Sequence, residues 1–83
     1  MTYSHIAFPV IEQTQVGEAR RQAARLAETT GLDEEISGKV SIVVAELATN
    51  LVRYGKKGEI LLRPLNDAGG LGVEVISVDH GPG

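Results

Sequence analysis

Cysteine and tryptophan are missing from these 83 residues, and the aromatic side chains are only Tyr3, Phe8 and Tyr54. Without cysteine, disulfide scaffolds, thiolate zinc sites and thiol nucleophiles are excluded. Two histidines, His5 and His80, are too few for a histidine-rich metal site. No apolar run approaches the roughly 18 residues of a membrane span, and the N-terminus has no signal-peptide pattern. Basic side chains are the minority, eight against eleven acidic ones, and the net charge of −3 argues against nucleic acid or an anionic membrane as partner. These absences lead us to expect a soluble, cytoplasmic protein.

What is present has the composition of a globular domain, 42% hydrophobic and 23% charged. The length allows one small domain, which buries only about 60–65% of its unfolded surface and has a thin stability margin. The sequence closes on Asp79-His80-Gly81-Pro82-Gly83, directly after a β-like run. A glycine-rich turn is an unusual place for a domain to stop, so we expect residues 1–83 to be part of a larger domain.

Periodicity gives five elements. In Tyr3 to Ile11, Ile6, Phe8 and Val10 share one parity, and Pro9 places this strand at a sheet edge or ends it. A helix is expected from about Thr14, as N-cap, to Thr30, with Val16, Ala19, Ala23 and Leu26 as its apolar stripe and Gly31 as its left-handed C-terminal residue. The second helix is expected over Asp33 to Tyr54, with Asp33 as N-cap and Ile36, Val40, Val43, Val44, Leu47 and Leu51 at helical spacing. Gly55 ends it, and Lys56 and Lys57 suit the end of a helix. Glu59 to Leu65 reads as a strand broken by Pro64, and the turn formers Asn66 to Gly70 as a loop of five residues. Leu71 to Val78 is the last strand, with Ile76 and Val78 suggesting an end buried on both sides. The order β-α-α-β-β predicts an α+β two-layer sandwich, helices on one face of a sheet.

Two patterns could carry chemistry. Glu46 and Asn50 are four apart on the second helix, so they lie on one face, flanking the core stripe. An amide oxygen can coordinate Mg²⁺, a hard cation that keeps waters and phosphate oxygens, and a carboxylate can take a proton from a hydroxyl. An isolated E-x-x-x-N is more often a solvated flank with a Glu–Asn hydrogen bond. The second pattern is Asp79-x-Gly81-x-Gly83 at a strand end. A carboxylate buried there needs a partner, and the exocyclic amino group of adenine is a suitable one; the glycines allow a tight turn and close ligand approach. Alone, this pattern is common in ordinary turns. It is neither a Walker P-loop nor a dinucleotide fingerprint.

Together, on a long helix followed by two strands, Glu46-Leu47-Ala48-Thr49-Asn50 and Asp79-His80-Gly81-Pro82-Gly83 resemble the N box and first glycine box of the GHKL (Bergerat-fold) ATPases. With Val16-Gly17-Glu18-Ala19-Arg20-Arg21, Gly38-Lys39-Val40 and Ala45 through Tyr54, nearly the whole chain resembles the anti-sigma-factor serine/threonine kinase branch. The nearest likeness is to switch kinases that phosphorylate STAS-domain antagonists. The resemblance implies ATP and Mg²⁺ as cofactors, with Asn50 holding the Mg²⁺ that bridges the phosphates. It implies Glu46 as the base for a partner's serine or threonine hydroxyl, Asp79 as the reader of the adenine amino group, and Gly81 and Gly83 as the start of the lid hinge.

The family's lid, second glycine box, further helix and closing strands have no counterpart in the sequence. We therefore expect residues 1–83 to be the N-terminal part of such a domain, to bind ATP poorly by themselves, and to self-associate through an exposed sheet edge. Arg53 could approach the phosphates, although a solvated helix end is the simpler reading; Arg20, Arg21 and Arg25 read as a solvated face, His5 as a solvent- or partner-facing side chain, and His80 as a turn residue rather than a phosphoacceptor. Two functions compete. One is a kinase acting on a STAS-domain antagonist. The other is a non-catalytic nucleotide-binding module that regulates a phosphatase or a sigma factor by association, and Glu46 discriminates between them.

Overall fold

The computed structural model describes residues 6–54 and 57–80. The elements run β1 (Ile6–Val10), α1 (Gln13–Thr30), α2 (Glu34–Arg53), β2 (Gly58–Asp67) and β3 (Gly70–Asp79). The three strands form one antiparallel sheet in the order β1-β2-β3, and both helices pack on the same face of it. The expected α+β two-layer sandwich is the observed fold. β1, carrying Pro9, is an edge strand as its sequence requires. Residues Tyr3 to His5, Gly55, Lys56, Gly81 and Gly83 lie outside the described residues.

The N-cap of α1 lies two residues before the expected one. The Gln15 side-chain oxygen reaches back to accept from the backbone N–H of Ile11 (2.6 Å) and Glu12 (3.0 Å), so Glu12 stands at the N-cap and Thr14 falls inside the first turn. At the other end Gly31 takes φ +103°, and Leu32 N–H donates to the Ala27 carbonyl at 3.1 Å, the closure a left-handed glycine permits. Asp33 caps α2 as expected, accepting from Ile36 N–H at 2.9 Å.

The buried stripes differ from the expected ones. On α1, Ala27 is fully buried and Leu26 only partly; on α2, Ser37, Ser41, Val44, Ala48 and Leu51 form the buried line. Ile36 and Val43, both expected in the core, are 40% and 47% exposed. The reason is the close approach of the helices: alanines on α1 and small residues on α2 let the two run side by side. The serines are tolerated because Ser41 Oγ donates to the Gly38 carbonyl (2.8 Å) and Ser37 Oγ to that of Leu32 (3.5 Å). A sheet of three strands leaves the outer flank of α2 open, where Ile36, Val40 and Val43 line a groove with Val73 and Val75.

Neither the break at Pro64 nor the five-residue loop occurs. β2 continues through Pro64, which pairs with Val73 and lies beyond Leu62, the last described partner of β1. Asn66 and Asp67 pair with Leu71 and Gly70, leaving Ala68 and Gly69 as the turn, with positive φ (+110°) at Gly70 and Asp67 Oδ1 accepting from Gly69 N–H at 2.8 Å. Pairing along both strands outweighed the local turn preference of these residues. The end of β3 is not buried on both sides: Ile76 is 38% exposed and Val78 half-buried, because the sheet face away from the helices is uncovered by any described element. Neither described helix is long and apolar enough to cross a membrane.

Candidate functional site

The helical period that buries Val44, Ala48 and Leu51 turns the adjacent row outward. That row is Ile42, Glu46 and Asn50, with Thr49 and Arg53 on the row beside it. With Ala45 they form one wall of a groove of about 490 Å³, and Arg20 from α1 stands across from them. Glu46 and Asn50 are thus brought together on one surface, as their spacing predicts. Both are exposed, and among the described residues their side chains make no hydrogen bond with each other or with anything else. The Glu–Asn hydrogen bond of the solvated-flank reading is therefore not formed.

Asp79 sits elsewhere. It is the last residue of β3, paired with Gly58 of β2, and it is exposed, so the sequence expectation of a buried strand end is not met. Gly58 is fixed beneath Leu51, the residue that follows Asn50, which sets the Asp79 end of the sheet at the C-terminal end of α2. Beyond it, His80 N–H donates to the Lys57 carbonyl at 2.6 Å, and His80 Nε2 lies 3.3 Å from Glu59 Oε1. His80 thereby ties the strand end to β2. Gly81 and Gly83 fall outside the described residues.

Arg20 and Arg53, read from the sequence as solvated, both line the groove and have no ion pair among the described residues. Arg20 on α1 and Arg53 on the α2 wall thus bring two cationic groups to the groove that Glu46 lines, a volume large enough for a polyphosphate. The placement of Arg20 was invisible in the sequence because it depends on how α1 docks against α2. Ile42, by contrast, could have been found: it lies one turn before Glu46 on the same row.

No group of three or more His, Cys, Asp or Glu side chains among the described residues is placed to hold a metal by itself. A single exposed carboxamide, Asn50, fits Mg²⁺ only in the way that ion is often held, with phosphate oxygens and waters completing its shell. The polar groups of the groove are the Asn50 carboxamide, the Glu46 carboxylate, the Thr49 hydroxyl and the guanidinium groups of Arg20 and Arg53.

The sequence matches the family described as histidine kinase-like ATPase domain over residues 10–83. It is similar to the serine/threonine-protein kinase RsbT of Bacillus subtilis (strain 168), with 27% identity over 74 residues, 89% of this chain and 56% of the relative. The chain thus spans about half the length of the curated relative it matches. No solved structure matches it significantly. The family match takes in both helices, the β2–β3 hairpin and every site residue named above, and the chain belongs to the histidine kinase-like ATPase domain family.

Proposed function

We propose that the protein acts in ATP-dependent phosphoryl transfer to a serine or threonine hydroxyl of a partner protein, of the switch-kinase type whose substrate is a STAS-domain antagonist. The observation that carries the reading is the groove itself: Glu46 and Asn50 side by side, with Arg20 and Arg53 flanking them, in a chain of this ATPase family. In it Asn50 would hold Mg²⁺ through its amide oxygen, and Mg-ATP would supply the phosphoryl group, its bond to ADP breaking as the bond to the hydroxyl oxygen forms. Arg53, one turn beyond Asn50, offsets phosphate charge. Glu46, one turn before Asn50, takes the proton of the incoming hydroxyl as the oxygen attacks. Asp79 would accept from the adenine amino group, and Gly81 and Gly83, by the family resemblance, would begin the hinge of the ATP lid.

The transfer is assigned to the complete protein. By themselves, residues 1–83 are expected to bind Mg-ATP weakly, because the groove is open to solvent and its phosphate contacts are side chains on helix flanks. Partners in regulation, whether antagonist, sigma factor or phosphatase, belong to the same proposal. The experiment is Glu46→Gln in the complete protein. Phosphorylation of the partner should fall by about 10²-fold or more, the range of general-base catalysis, while partner association stays unchanged. Undiminished phosphorylation would remove Glu46 from the chemistry. If neither form transfers phosphate but both associate with the partner, the protein is the non-catalytic module instead.

A further inference from the structure

Asp79 is the last residue of β3, and its neighbours on either side are tied to β2. Before it Val78 pairs with Glu59, and Asp79 itself pairs with Gly58. After it the contact runs one residue past the strand: His80 N–H donates to the Lys57 carbonyl at 2.6 Å. Side chains alternate between the two faces of a strand. The register gives Asp79 the parity of Gly58, Ile60 and Leu62, the face that meets the helices. Glu59 and Val78 take the opposite face. So does the His80 ring, whose Nε2 stands 3.3 Å from Glu59 Oε1, a diagonal contact between neighbouring strands.

We propose that Glu59 and His80 are positioning residues for nucleotide recognition: a clip on the outer face of the sheet that keeps the strand end paired and so fixes the direction in which Asp79 presents its carboxylate to adenine. The inference rests on the reading of Asp79 given above and deepens it. Neither side chain touches the nucleotide. They act through the backbone, because a strand that stays paired through residue 80 cannot turn Asp79 to its other face. The sequence makes such a clip matter at this point. Gly81 follows at once, and a glycine restrains the backbone little, so His80 is the last side chain able to anchor the strand before the glycines. Its chemistry suits the task. With a proton on Nε2 the imidazole donates to the Glu59 carboxylate, and an imidazolium adds charge attraction.

Exposure sets the strength. The Glu59 side chain is 34% exposed and that of His80 56%. A pair so open to solvent biases the strand end by no more than its own small free energy, a factor of about two to five. The clip therefore tunes the recognition of adenine and does not create it. Its loss leaves Glu46 and Asn50 in place, since both stand on α2.

Calorimetric binding to the complete protein tests the inference, with Mg-ATP compared against the Mg complex of purine riboside triphosphate, which carries hydrogen where adenine has its amino group. Wild type should prefer ATP by about ten-fold or more, the worth of one hydrogen bond to a carboxylate. Glu59→Ala and His80→Ala should each cut that preference by about two- to five-fold, by weakening ATP and not the analogue. The double variant should be no worse than either single one, because both changes remove the same interaction. Without nucleotide, amide hydrogen exchange at His80 should quicken by about the same two- to five-fold in all three variants. A change that merely loosened the fold would weaken both nucleotides together and leave the preference intact. An unchanged preference in the single variants, effects that add in the double one, or unchanged exchange at His80 overturns the clip and leaves Asp79 in its role. A wild-type protein that binds the two nucleotides equally removes Asp79 from adenine recognition, and the clip falls with it.

Discussion

Replacing Gly58 by alanine is the sharpest test of how the sheet is fitted to α2. Gly58 opens β2, is buried, and pairs with Val10 on one side and Asp79 on the other. Its φ is not positive, so conformational freedom does not explain the glycine. Space does. A Cβ at this position would run into the Val78 carbonyl oxygen and would meet Leu51 Cδ2 at 2.9 Å and Cδ1 at 3.2 Å. The carbonyl is backbone in a paired strand, and Leu51 is only 5% exposed, so neither can swing aside cheaply. Overpacking of this kind costs about 1–3 kcal/mol, against which the lower chain entropy of unfolded alanine returns only about 0.4–1 kcal/mol. A domain of this length has about 4–12 kcal/mol in total, so the loss is a large share of it. Each kcal/mol lowers the melting temperature by about 4–8 °C in a domain of 60–100 residues. Urea and thermal melts followed by circular dichroism, compared at equal m-value, measure the effect. A Gly58→Ala chain within about 0.3 kcal/mol of wild type, well under the overpacking range, would refute the close approach of β2 to α2. The placement of Asp79 beside the end of that helix would go with it.

Gly38→Ala is the counterpart: the glycine is exposed within α2 with nothing within 4 Å of the added carbon, so the change should stabilise the same melts by about 0.5–1 kcal/mol. Asp33→Ala removes the acceptor for Ile36 N–H and should cost about 1 kcal/mol, whereas Asp33→Ser should recover most of it. Glu18 is held below the ordinary carboxylate range, first by the hydrogen bond from the Gln22 amide and then by Arg21. Because the folded value is the lower one, its contribution is present above the ordinary glutamate value and is lost as pH falls through the lowered one. Glu18→Gln should therefore reduce stability at neutral pH and match wild type in strong acid, as denaturant melts across pH would show.

Local patterns were legible wherever one residue's chemistry decides its own conformation. Gly31 and Asp33 end and begin helices because a left-handed φ and an unpaired N–H are satisfied within a few residues. The Glu46–Asn50 row is equally local, since helical pitch alone aligns positions four apart. Patterns that depend on a second element were not legible. Leu26 reads as core by hydrophobicity, yet Ala27 is the residue the neighbouring helix admits. Ser37 and Ser41 lie outside the apolar spacing read from the sequence, yet they are buried and hydrogen-bonded to their own helix and its approach. The turn formers after Leu65 read as a long loop, yet strand pairing draws Asn66 and Asp67 into the ladder.

The sequence by itself determined the order of five elements, the helix limits to within about a turn, and the carboxylate–carboxamide row, because backbone sterics, capping and helical pitch act over a few residues. Only the tertiary structure decided which flank of α2 stays open, that Arg20 of α1 joins Glu46 and Asn50, and that Gly58 sets Asp79 at the end of that helix. Those placements come from the fit of one surface against another, and close packing rewards side-chain volume at a given point, which no residue encodes alone.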